Sequence, residues 1–262
     1  MKMFSCKSLL PISIAVLCTS FFVSANRAEA SSSSRQGSLT NGLIHWWKFN
    51  GNGMDSAGDL DLNPIGPIDY VPAVMGSGID MDGVDTGIAI PDMKDLQFQN
   101  SFSISAWAYL RSYPADGKMW SSIIFSGDDR PGLDPYALQV NPSGKMAFLT
   151  TGLEDNLSEI QTPFPLKKFV LVTGTYDKQT GTQRLYIDGS MVGQFTEKYK
   201  LTPVCALVAN EHGGIGIGTN NGFPKSRYNF GWNGIINDLR IYDRSLSAGE
   251  IITLYKMGKT GK

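Results

Sequence analysis

Three groups of residues in this chain have the types and spacing to do chemistry. The first is oxygen donors close together in sequence: Asn50, Asn52 and Asp55; Asp80, Asp82 and Asp85; and Asn237 with Asp238. Calcium takes roughly six to eight oxygens from carboxylates, amides and carbonyls, so each group could supply part of a Ca2+ site. The middle group is not an EF-hand, because the position where that loop needs a bidentate Glu is Pro91. Capping of turns is the competing use of the same side chains. The second group is aromatic. Trp120, Tyr136, Tyr228 and Trp232, with Phe223 and Phe230, stand among polar residues and glycines, near Arg130, Arg227, Asn220 and Asn221. Ring faces beside planar polar groups are what a sugar ring needs. Trp120, Tyr136, Tyr228 and Trp232 with Arg130 are therefore the expected carbohydrate-binding set. Core packing is the competing use, above all for Trp47 and Trp107.

The third group is acids and bases. A glycosidase needs two carboxylates, about 5.5 Å apart for retention and wider for inversion. The nearest acidic cluster, Glu154, Asp155 and Glu159, falls in a Gly/Asn-containing stretch and reads as solvated loop charge. A lyase needs a proton-abstracting His or Tyr. His45 and His212 are the two histidines, and His212 with Tyr228 and Arg227 is the one combination of that kind. No serine elbow, zinc-protease helix, paired-cysteine motif or phosphate loop is present. No catalytic residue is assigned.

The elements that must carry these residues alternate with period two. Phe102, Ile104, Ala106, Ala108 and Leu110 share one strand face, and Ser103, Ser105, Trp107 and Tyr109 the other. Residues 169–176 form a second strand, and 183–187 and 191–195 form a hairpin around Asp188-Gly189. Further strands are expected at 43–49, 79–81, 88–90, 121–125, 136–140, 145–150, 215–218 and 235–242. One helix is expected, at the end. Ser247 and Glu250 make a capping box, Ile251, Ile252, Leu254 and Tyr255 a stripe, and Gly258 the stop. Many short strands without helices between them mean an all-β, two-sheet antiparallel sandwich or jelly roll.

Composition agrees. The 262 residues carry a net charge of -1, too balanced for a nucleic-acid binder, and 42% apolar residues are too many for a disordered chain. Residues 1–30 read as a secretory signal peptide: Lys2 and Lys7, an uncharged stretch from Ser8 to Ala25, then Ala28-Glu29-Ala30 before the cut. Cleavage leaves a secreted or periplasmic chain with no stable membrane insertion. It also leaves a net charge of -3 and one thiol, Cys205, in an apolar run that suits a buried residue. Residues 31–41 read as a flexible lead-in, and 42–262 as a single domain.

Several segments name a family. They are Trp47-x-Phe49 with Asp55-Ser-Ala-Gly58; Gly78-Ile-Asp-Met-Asp-Gly-Val-Asp85; Phe102-Ser-Ile-Ser-Ala-Trp107; Leu171-Val-Thr-Gly-Thr-Tyr-Asp177; Leu185-Tyr-Ile-Asp-Gly189; and the run from Gly234 through Tyr242 to Glu250. In this order, from about 43 to 256, they resemble the laminin-G-like jelly-roll domains of the concanavalin A-like lectin/glucanase superfamily. The resemblance implies two face-to-face antiparallel sheets and glycan or protein partners. It also implies, in many members, a structural Ca2+. Related folds often tie the first strand to the last through a metal, which here selects Asn50, Asp55 and Asp238. The Glu-x-Asp-x-x-Glu run of the glucanase members is missing. The expected function is a secreted, lectin-like protein that binds a polysaccharide or cell-surface glycan. A lyase or glycosidase on the same fold and a protein-binding adhesion or matrix module stand as alternatives.

Overall fold

The computed structural model describes residues 39–90, 96, 98, 100–115, 120–127, 135–150, 159–196, 214–220 and 230–260. Arg130, Tyr228, Cys205, His212 and the two loop acids Glu154 and Asp155 lie outside them, as does the signal segment.

Among the described residues there are two antiparallel sheets. The larger holds β1 (Leu43–Trp47), β2 (Asp69–Pro72), β3 (Ser77–Asp82), β5 (Phe102–Leu110), β10 (Val170–Asp177), β11 (Thr182–Ile187), β12 (Ser190–Thr196) and β14 (Asn233–Tyr242). Its order is β12-β11-β10-β5-β14-β3-β2, and β1 also pairs with β14. The smaller holds β4 (Ile88–Ile90), β6 (Ser121–Ser126), β7 (Tyr136–Val140), β8 (Lys145–Thr150), β9 (Glu159–Pro163) and β13 (Ile215–Ile217), in the order β4-β13-β6-β7-β8-β9. This is the expected jelly-roll sandwich. Strands β2 and β9 were not anticipated. Their sequences, DYVP and EIQTP, have no run of alternating apolar residues, and each borrows its register from a neighbour. Glu159 therefore opens a strand and is not a loop acid.

Period-two alternation decides the core. Phe102, Ile104, Ala106, Ala108 and Leu110 of β5 meet Tyr136, Leu138 and Val140 of β7 and Met146 and Phe148 of β8 in one buried cluster. The β11–β12 turn uses Asp188 and Gly189 at φ 50 and 81, the left-handed pair a tight hairpin requires, with Ile187 opposite Ser190.

The opposite face of β5 is buried too. Trp107 lies under the C-terminal helix (Ala248–Thr260) with Leu171, Tyr186, Tyr242, Ile251 and Leu254. Ser247 and Glu250 cap this helix reciprocally: Ser247 N–H donates to Glu250 Oε2 at 2.8 Å, and Glu250 N–H returns to Ser247 Oγ at 3.3 Å. Two expectations need correction here. The helix runs to Thr260, so Gly258 is not its stop. It sits where an added Cβ would strike the Trp107 ring, and its job is close approach. The packed body also begins before Gly42, because Leu39 is buried in the same cluster.

Candidate functional site

Of the sequence-derived sugar ligands, Trp120 is the one found at the surface, beside the outer face of the smaller sheet. On β7 and β8, Tyr136, Leu138, Val140, Met146 and Phe148 point into the core, so Ala137, Gln139, Ala147 and Leu149 point out. A bulge between Ser122 and Ile124 sends both Ile123 and Ile124 inward and leaves Ser122 and Phe125 outward. Strand register then builds two outward rows. One runs Ala89, Gly216, Phe125, Ala137, Leu149 and Glu159. The other runs Ser122, Gln139, Ala147 and Gln161.

Trp120 stands at the head of β6, half-buried, against the cluster of Phe125, Ala137, Leu149 and Phe230. Phe125 and Phe230 meet edge to face, with ring centroids 5.1 Å apart at 85°. Residues 230–232 are anchored to the sheet: Phe230 and Gly231 carbonyls accept from Ser122 N–H and Ser121 Oγ at 2.8 and 2.9 Å. Most of both rows is buried: Ser122, Phe125, Ala137, Gln139, Ala147 and Leu149 are covered, and Gln139 Oε1 accepts from Ser122 Oγ at 3.3 Å. What this face offers at the surface is the half-buried Trp120 indole and the exposed amide of Gln161. Glu159, half-buried, is the one carboxylate of the two rows. A ring face and an amide are groups that can hold a polyol, and among the described residues the two rows carry one carboxylate where a glycosidase needs two. Sequence reasoning missed Gln139 and Gln161. Their place in one row, on either side of Ala147, appears only when β7, β8 and β9 are in register.

Two of the predicted sugar ligands are corrected. Tyr136 is fully buried among Phe98 and Phe102, and its hydroxyl donates to the Leu96 carbonyl at 3.2 Å. Trp232 is fully buried too. Its indole N–H donates to the Tyr109 carbonyl at 3.1 Å and its ring meets Phe164 edge to face. Neither ring face can stack on a sugar. Both look polar-flanked in sequence, but strand alternation turns Tyr136 inward, and Trp232, just before β14, is held in by its bond to Tyr109. Trp120 remains on the surface, and Arg130 and Tyr228 lie outside the described residues.

The oxygens of the three expected calcium ligands accept hydrogen bonds from protein donors. Asp55 Oδ1 accepts from the amides of Trp46, Ala57 and Gly58 at 2.9 to 3.0 Å, and Oδ2 faces His45 Nδ1 at 2.6 Å. Burial pushes its carboxyl up, but these hydrogen bonds outweigh that and hold it below the usual range. Asn50 Oδ1 accepts from Ser77 N–H and Oγ. Asp238, 4% exposed, accepts from Trp46 Nε1 at 2.5 Å and Arg240 at 3.1 Å. Burial raises its carboxyl, opposed by Arg240 and the Trp46 hydrogen bond. Each carboxylate or amide is used to hold protein. Among the described residues no group of three His, Cys, Asp or Glu side chains could hold a metal. Neighbouring Asn237 shows the same use: its amide donates to the Lys48, Met75 and Ser77 carbonyls and accepts from Met75 N–H.

The third acidic group is also local. Asp82 Oδ1 accepts from Val84, Asp85 and Thr86 N–H and from the Thr86 hydroxyl. These bonds depress its carboxyl against the upward push of burial, while hydrogen bonding to Asp82 and its charge raise that of Asp85. Asp80 is paired through both oxygens with Arg111, 2.6 Å each.

Known proteins share this architecture. The binding domain of botulinum neurotoxin DC, solved in complex with SialylT, superposes with a TM-score of 0.61 at 17% identity, over 84% of this chain and 52% of that one. Domain 4 of an extracellular arabinanase from Geobacillus stearothermophilus, in complex with arabinotriose, gives 0.59 at 18% identity, over 81% of this chain and 98% of that domain. A sialidase from Trypanosoma rangeli gives 0.58 at 19% identity, over 84% and 33%. A BEACH domain-containing protein B from Arabidopsis thaliana is 26% identical over 205 residues, 75% of this chain, which spans 7% of that protein's length. The Laminin_G_3 family model, described as concanavalin A-like lectin/glucanases superfamily, matches residues 82–252. With its two antiparallel sheets and C-terminal helix, the chain belongs to that superfamily, as a laminin-G-like domain.

Proposed function

We propose that this chain is a secreted, lectin-like protein that holds a polysaccharide or cell-surface glycan on the outer face of its smaller sheet. The observation that carries this reading is the half-buried position of Trp120 on the same sheet face as the exposed amide of Gln161. The indole supplies a stacking face, and the Gln161 amide donates to and accepts from sugar hydroxyls. The family and the ligands in the complexes of its structural neighbours, SialylT and arabinotriose, support a carbohydrate as the ligand class. The layout of residues 1–30 supports export. Arg130 and Tyr228, outside the described residues, remain candidate contributors. Calcium is no part of the proposal at Asn50, Asp55 and Asp238, whose oxygens are taken by protein donors.

The test is a polysaccharide panel read by tryptophan fluorescence and pull-down, with reducing ends and absorbance of unsaturated uronates followed in parallel. Binding that quenches fluorescence, and that weakens about tenfold or more in Trp120→Ala, is expected, because aromatic anchors dominate such contacts. Turnover of any polysaccharide would replace the lectin reading by an enzyme. Absence of both turnover and binding would leave the protein-binding module.

A further inference from the structure

The sequence holds five Asn-Gly pairs, at 41–42, 50–51, 52–53, 221–222 and 233–234, and all but 221–222 lie within the described residues. In such a pair the glycine nitrogen can attack the asparagine side-chain carbonyl and close a ring, because glycine puts no Cβ in the way. The fold treats the four described pairs unequally. Asn50 is tied through Oδ1 to Ser77 N–H and Oγ at 3.2 and 3.0 Å. Asn52 Oδ1 accepts from Met54 N–H at 3.1 Å. Asn233 Nδ2 donates to Ser112 Oγ at 2.9 Å, and its backbone is paired within β14. Asn41 is exposed, and its side-chain amide makes no hydrogen bond with any described residue.

The backbone of the same pair is engaged where charge would form. The Asn41 carbonyl accepts from Arg244 Nε at 2.7 Å. Before it can attack, the Gly42 nitrogen must lose its proton, and the negative charge then spreads onto that carbonyl oxygen. A guanidinium bonded there stabilises the deprotonated peptide, as a donor does in an oxyanion hole. The turn in turn requires glycine at 42. Its φ is 68°, and an added Cβ would lie 2.5 Å from Asp243 Oδ1, so a side chain there is strained on both counts.

We propose that Asn41 is a self-modifying site that converts to aspartate and isoaspartate without an enzyme. The Gly42 nitrogen bonds to Asn41 Cγ and its proton passes to solvent. The Cγ–Nδ2 bond breaks as Nδ2 takes up a proton and leaves as ammonia. Water then opens the five-membered imide at either carbonyl, giving aspartate or isoaspartate. Either product adds a negative charge close to Asp243. Isoaspartate also adds a backbone methylene between buried Leu39 and β1. That addition displaces the two bonds that hold the pair to the residues after β14: Arg244 Nε to the Asn41 carbonyl, and Asp243 N–H to the Gly42 carbonyl at 2.9 Å. Arg244 also binds Glu250 of the C-terminal helix at 2.7 and 3.0 Å, so the change reaches the helix cap.

The experiment ages the purified protein at mildly alkaline pH and follows each Asn-Gly peptide by mass spectrometry, with fragmentation that separates isoaspartate from aspartate. A parallel sample is aged in denaturing urea. In the folded protein, conversion at Asn41 is expected to be about tenfold or more faster than at Asn50, Asn52 and Asn233, whose tethers must break before the ring can close. In urea the four should convert at similar rates. A folded-state rate at Asn41 no higher than at the other three overturns the proposal. So does the same order of rates in urea, which would assign the difference to sequence and not to the fold. Arg244→Ala is expected to slow Asn41 several-fold in the folded chain, and an equal or faster rate refutes the part given to Arg244. Asn41→Gln, which closes a six-membered ring far more slowly, should keep its melting temperature through ageing while the wild type loses it in step with isoaspartate. Equal loss in both proteins refutes the structural consequence.

Discussion

Asp55 joins the scale of residues to that of stability. Its carboxylate stitches the turn after β1 to the strand itself through three backbone amides and His45. Its folded pKa lies below the unfolded value of about 3.9, so the stability it contributes is complete above that value. The contribution is lost as pH falls through the folded pKa, where the native carboxylate too takes a proton. Melting temperature should therefore drop on acidification below about pH 4, and Asp55→Asn should start lower at neutral pH and fall less steeply. Thermal scans of both proteins from neutral to acid pH measure this. Equal slopes would show that Asp55 has no part in the acid response.

At the scale of elements, the C-terminal helix is informative because local preference and packing oppose each other in it. Gly258 stands within its last turns, where Ala would raise helix propensity by about 1 kcal/mol. A Cβ there meets the buried Trp107 indole, which is stacked on Tyr255 from the same helix at 5.8 Å. Overpacking of this kind costs about 1–3 kcal/mol, so Gly258→Ala should destabilise the protein despite the better helix former. Urea unfolding of the variant decides it, and an unchanged or raised midpoint would mean that the helix slides off Trp107 at no cost.

The whole molecule is held by interdigitation of its two sheets. Phe148 of the smaller sheet reaches across to Phe102, with centroids 6.2 Å apart. It also fills the space over Gly174 of the larger sheet, where any Cβ would collide with its ring. Phe148 is fully buried, and Phe148→Ala should cost about 3–5 kcal/mol. Since it touches both sheets, the loss should appear in one cooperative transition at a lower denaturant midpoint, not as separate melting of one sheet. Coincident far-UV and tryptophan signals would confirm the single transition, and divergent ones would refute it.

Sequence alone determined what depends on neighbours along the chain. Alternation over residues 102–110, Asp188-Gly189 at φ > 0 and the Ser247–Glu250 box all act within a few residues, and ordered motifs carried the family. Tertiary structure decided which of the aromatic and acidic residues are available. In a strand a shift of one residue reverses every side chain, so the register and the bulge at Ser122–Ile124 turned Tyr136 inward and Trp120 outward. They also brought Gln139 and Gln161, with no sequence signal of their own, onto the same face. Turn carboxylates such as Asp55 and Asp82 are saturated by amides they themselves help to fold. A count of oxygens in sequence does not distinguish such turn carboxylates from cation ligands. His45 is the opposite case, since only the fold could show its Nδ1 held by Asp55 and its other nitrogen left without a partner.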